Sequence, residues 1–101
     1  MAINTITILE TSVRHLFPDR SLEQVLGELL LERAQKNLIK YQVMVRQFAA
    51  KYGQGFETFR QHVLNEEPEF EVEQDYFDWE LAITGIVNME EEIARLKEVP
   101  F

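Results

Sequence analysis

Residues 69–80 read EFEVEQDYFDWE, six carboxylates and four aromatic residues in twelve positions. Carboxylates at this density could hold Mg²⁺ or Ca²⁺ through oxygen ligands. The glycine and the Asp-x-Asp spacing of a calcium-binding loop are absent, however. A second chemistry is protein recognition. Tyr76, Phe77 and Trp79 ringed by Glu69, Glu71, Glu73, Asp75, Asp78 and Glu80 resemble the aromatic anchors of an interface. A third reading is structural. Asp75 as N-cap, with Asp78 at the third helical position, complements a helix dipole. Glu69, Glu71 and Glu73 would then alternate with Phe70 and Val72 in an extended lead-in with one wet face. The recognition and structural readings both stay open on these residues, and the metal reading is set aside.

Other reactive residue types are sparse. The two histidines, His15 and His62, form no HExxH pairing. His62 and Glu66 are four apart, but a metal site needs three or four ligands. Ser12 and Ser21 lack a nucleophile-elbow setting, and the chain has no cysteine. KYGQGF carries Gly-x-Gly after a helical pattern rather than a strand, so it reads as a turn and not a phosphate cradle. No catalytic, cofactor-binding or metal site is expected, and the chain is read as a non-enzyme.

Charge is uneven along the 101 residues. Residues 1–65 carry eight Lys/Arg and six Asp/Glu, a net of +2, while residues 66–101 carry two and twelve, a net of −10. The acidic third would be repelled by nucleic acid and by anionic membranes. Arg33, Lys36 and Lys40 can share a helix face, but Glu28 and Glu32 dilute it, so a solvated face is preferred to a DNA-binding one. No run approaches a membrane span and the N-terminus does not read as a signal peptide, so a cytoplasmic protein without membrane contact is expected.

These residues must be positioned by helices. PDRSLEQ supplies a capping box, Ser21 with Gln24. From it a stripe runs at helical spacing through Leu22, Leu26, Leu30, Ala34, Leu38, Tyr41, Val45, Phe48 and Tyr52, closed by Lys51 and Gly53. The spacing predicts one helix over about 21–52, roughly 48 Å long at 1.5 Å per residue. Val25, Leu29, Leu31, Ile39, Val43 and Met44 lie off that stripe, and a helix apolar on several sides is covered on several sides. A second copy is the economical cover. Leu22, Leu26, Leu30, Leu38, Tyr41, Val45, Phe48 and Tyr52 are therefore expected as core or dimer contacts.

Phe56, Phe59 and Val63 mark a short helix over about 56–65, ended before Pro68. A C-terminal helix is predicted over about 75–98, with Tyr76, Trp79, Ile83, Ile86 and Ile93 on its seam. Residues 3–9, INTITIL, are β-branched and partly alternating, and predict a short strand within an N-terminal arm, 1–18. The expected fold is mostly α, one domain over 1–101, forming a helical-bundle homodimer.

KYGQGFETFRQHV, followed by an acidic spacer and DYFDWELAITGIVNMEEEIARLK, resembles a family of small bacterial and archaeal helical proteins described as antitoxin components of toxin–antitoxin pairs. Lys51, Tyr52, Gly53, Phe56, Phe59, Asp75, Tyr76, Phe77, Trp79 and Glu80 carry the resemblance, which spans roughly residues 30–97. It implies a chain that binds and masks a cognate toxin. The acidic third agrees with that role, because toxins acting on RNA present basic surfaces that an acidic protein can occupy. The alternatives are a small dimeric nucleic-acid-binding regulator using residues 3–9 and the basic helix face, and a structural helical oligomer.

Overall fold

The capping box forms as its residues dictate. Ser21 Oγ accepts from the Gln24 N–H at 3.1 Å and Gln24 Oε1 accepts from the Ser21 N–H at 2.9 Å. They start α2, Leu22–Tyr52, which runs 31 residues to Gly53, whose φ of 62° is the left-handed C-cap that glycine adopts without strain. The computed structural model describes residues 2–99. Met1, Pro100 and Phe101, the outer limits of the expected 1–101 domain, lie outside the described residues. Among those described, the other elements are also helices: α1 (Ala2–Leu16), α3 (Phe56–Asn65) and α4 (Phe70–Leu96). The mostly α expectation holds, and α2 and α3 begin and end within a residue of their predicted limits.

Two expectations are corrected. The β-branched segment 3–9 is the first half of α1, not a strand. β-Branched residues disfavour a helix by only tenths of a kcal/mol each. Ile6, Leu9, Val13 and Leu16 fall at helical spacing, so the same segment also carries a helical pattern. Thr11 adapts by sending its Oγ1–H back to the Thr7 carbonyl at 2.9 Å. The helix stops before Pro18, which the preceding residue cannot follow in helical geometry.

The second correction concerns the acidic stretch. α4 begins at Phe70, with Glu69 as its N-cap, so Asp75 lies inside the helix and residues 69–74 are not an extended lead-in. Glu71 and Glu73 in the first turn are stabilised by the N-terminal end of the helix dipole. Glutamate every second residue imitates strand alternation, but strand pairing would need a partner strand, and the helix satisfies its own backbone.

α2 and α4 pack antiparallel. Lys51 and Tyr52 meet Asp75 at one end, and Tyr41 meets Gly85 farther along. Equal rise in both helices brings Leu96 to about the level of Leu30, so the first turns of α2 lie beyond α4. α1 packs on α2 far more sparsely than α4 does. The result is elongated, 58 × 28 × 18 Å, with a radius of gyration of 20.1 Å. About 13 Å would be expected of a compact chain of 100 residues. The hydrophobic core is correspondingly small: Val25, Ala34, Phe59, Trp79 and Ala82. Of the expected core or dimer stripe, Leu22, Leu38, Tyr41, Val45, Phe48 and Tyr52 are half-buried, whereas Leu26 and Leu30 are exposed.

Candidate functional site

The C-terminal end of α2, all of α3 and the N-terminal half of α4 converge on one aromatic junction. Trp79 is its centre, with ring centroids at 5.1 Å from Phe59, 5.3 Å from Phe56, 5.7 Å from Phe48 and 6.3 Å from Tyr52. Stacked and edge-on aromatic pairs at these distances add to the area they bury. Tyr76 stacks on Phe56 at 5.6 Å, and its hydroxyl donates to Glu80 at 3.2 Å. The GQG turn makes this possible. Gly53 reverses the chain, and Gly55 caps α3, so Phe56 and Phe59 return onto Trp79 one helical turn apart.

A polar clasp closes the junction from one side. Asp75 accepts hydrogen bonds from Lys51 Nζ at 2.6 Å and from the Tyr52 hydroxyl at 2.5 Å, and Lys51 also reaches Glu71 at 3.0 Å. The Asp75 side chain is only 14% exposed. Burial pushes its carboxyl up, but the hydrogen bonds and charge of Lys51, with the bond from Tyr52, outweigh burial and hold it below the usual value. Tyr52 is pushed up by burial and by the Asp75 carboxylate it donates to. Lys51 is pushed up by its hydrogen bonds to Asp75 and Glu71.

A carboxyl with a depressed folded pKa contributes stability that is complete above its unfolded value, near 3.9. That stability declines below about pH 4 and is gone once pH falls below the folded value. The thermal midpoint of wild type should therefore exceed that of Asp75→Asn at pH 6, and the two should converge on acidification through pH 4. A gap independent of pH from 6 to 2 would show that the Asp75 charge contributes nothing.

The residues expected to face a partner divide into two sets. Trp79 is 1% exposed and fills this chain's own core, so it is corrected from partner contact to core. Asp75 is engaged in the clasp and Tyr76 is half-buried on Phe56. Glu69 occupies the N-cap position of α4 with an exposed side chain that makes no cap hydrogen bond, and Glu71 pairs with Lys51 while remaining exposed. Glu73, Phe77 and Glu80 point to solvent, and Asp78 is half-buried and accepts from Gln74 at 3.2 Å. Phe70 (83% exposed), Phe77 (52%) and Leu81 (64%) line the side of α4 turned away from α2. Phe70 and Leu81 were not singled out as contacts in the sequence, although Phe70, Phe77 and Leu81 recur at i, i+7 and i+11, the spacing of one helical face.

Phe70, Phe77 and Leu81, edged by Glu73, Glu80 and Asp78, thus form an apolar stripe with an acidic border. That arrangement can seat a cationic, apolar surface. It holds no nucleophile and no histidine. His62, Glu66 and Glu67 line a shallow cleft between α3 and α4, and among the described residues no three His, Asp or Glu side chains are grouped as a metal site would need. Among the described residues no helix is long and apolar enough to cross a membrane. In comparisons with known proteins, no family model, no curated protein and no solved structure matches this chain.

Proposed function

We propose that this chain is a protein-interaction module of the antitoxin type, which binds and neutralises a cognate toxin and works as a homodimer in the cytoplasm. In this reading it is not an enzyme and takes no cofactor. The observation that carries it is the outer face of α4. Three large apolar side chains stand exposed in a border of carboxylates, within a segment of net charge −10, and nothing among the described residues covers them. A basic partner with apolar knobs would gain both burial and electrostatic steering there. The aromatic junction packs the opposite side of α4 onto α2 and α3, so the helix that carries this face is already formed before binding, which lowers the ordering cost.

The nucleic-acid-binding alternative loses support from the fold. It relied on residues 3–9 as a strand, and they are helical. Lys36 on the basic face is paired with Glu32 at 2.9 Å. The experiment is co-expression with the small basic protein encoded by a neighbouring reading frame, followed by co-purification and calorimetry. Phe77→Ala combined with Leu81→Ala should weaken the complex at least tenfold, given about 1 kcal/mol or more per anchor. Raising salt should weaken it further. Failure of every neighbouring product to bind, or binding unaffected by the double substitution, would overturn the reading.

A further inference from the structure

We infer that the α1–α2 end of the molecule is the self-association surface, occupied by the same end of a second copy; this rests on the homodimer reading above and gives it a location. Ile6, Leu9 and Leu16 on α1 are 51%, 49% and 74% exposed, and Leu26, Leu29 and Leu30 on α2 are 48%, 52% and 55% exposed. The α1 residues recur at helical spacing on one side. The α2 residues lie between the start of α2 and the level at which α4 ends. At about 100 Å² each, these six present on the order of 600 Å² per copy. A standard interface takes about 800 Å² from each partner, rim included.

α1 itself needs such a cover. A helix of 15 residues is marginal alone in water, and its packing on α2 is sparse. Two copies brought together at this end would lay four helices side by side and cover both apolar surfaces at once. An isologous contact of this kind closes on itself and stops at two.

Charge selects the second copy over a foreign partner here. Residues 4–40 carry five acidic and five basic side chains, a net of zero. Copies meeting through them do not repel, and both signs are present to pair across the contact. Copies meeting through α4 would bring two segments of −10 together, which is costly. A basic partner, by the same logic, is drawn to α4 and not to this end. The chain has two faces with separate occupants.

Sedimentation equilibrium of the full chain from 1 to 100 μM tests the assignment. Wild type should weigh twice the monomer's 11.9 kDa. Leu9→Glu with Leu16→Glu, or Leu26→Glu with Leu30→Glu, should raise the dimer dissociation constant at least 100-fold, with the junction's near-ultraviolet signal unchanged. Phe77→Glu with Leu81→Glu should leave the dimer intact. Dimers that survive the α1 and α2 substitutions but dissociate with the α4 pair would overturn this surface and leave self-association standing. A wild-type monomer at 100 μM would overturn both. Hydrogen exchange on unsubstituted protein gives a reading that needs no variant to fold: α1 protection should rise with concentration while α3 protection does not. Concentration-independent exchange of α1 would overturn the inference.

Discussion

Trp79→Ala should cost about 3–5 kcal/mol, the range for removing a buried aromatic ring. Folded domains are held by only about 5–15 kcal/mol in total. Among the described residues the core consists of five buried hydrophobic side chains, and Trp79 is the largest of them. Its ring ties α4 to both α2 and α3, through Phe48, Phe56 and Phe59. Urea denaturation followed by helical circular dichroism should therefore show a midpoint shifted most of the way to zero. Trp79→Phe should cost less than about 2 kcal/mol. It keeps an aromatic ring, and it removes an indole N–H that is buried with no acceptor among the described residues. Phe77→Ala, two residues away but exposed, should stay within about 0.5 kcal/mol. A Trp79→Ala protein with a near-native urea midpoint would mean the junction does not organise the fold.

Gly85→Ala should destabilise the protein by about 1–2 kcal/mol, against the ordinary direction of that substitution. On an open helix surface, alanine for glycine gains close to 1 kcal/mol of helix propensity. At Gly85 the added Cβ would stand 2.7–2.8 Å from three ring atoms of Tyr41. A ring cannot yield as the tip of a flexible chain can. Tyr41 must leave its position or α4 must move away from α2, and overpacking of this kind typically costs 1–3 kcal/mol. The close approach also explains why Ala82, one turn before Gly85, is fully buried: small residues let the two helix backbones come together. A double-mutant cycle isolates the contact. In a Tyr41→Ala background, Gly85→Ala should become neutral or stabilising. If Gly85→Ala alone raises the thermal midpoint, the close α2–α4 approach is wrong.

Local signals survived folding wherever they were strong and redundant. Ser21, Gln24 and Gly53 bound α2 because caps and left-handed glycines act through neighbouring backbone alone. α3 is likewise legible, from Phe56 and Phe59 after a two-glycine turn. Residues 3–9 were misleading because β-propensity is weak, and a strand needs a partner that the residues themselves cannot name. The start of α4 was misplaced by five residues for a related reason. Asp75 is a good N-cap by type, but its carboxylate is already committed to Lys51 and Tyr52, 24 and 23 positions earlier.

The candidate site divides along the same line. Composition and spacing alone determined that residues 69–80 join acids to aromatics, that the last third is strongly acidic, and that the chain is mostly helical with apolar residues on more than one side of its long helix. Which aromatics face inward was decided by tertiary structure. The seam through Tyr76, Trp79, Ile83 and Ile86 put Trp79 and Phe77 on different faces, but spacing alone does not say which face meets this chain and which a partner. Packing does: α3 folds back through Gly53 and Gly55 to place Phe56 and Phe59 on Trp79, and the 200° rotation that two helical residues impose leaves Phe77 on the opposite, open side.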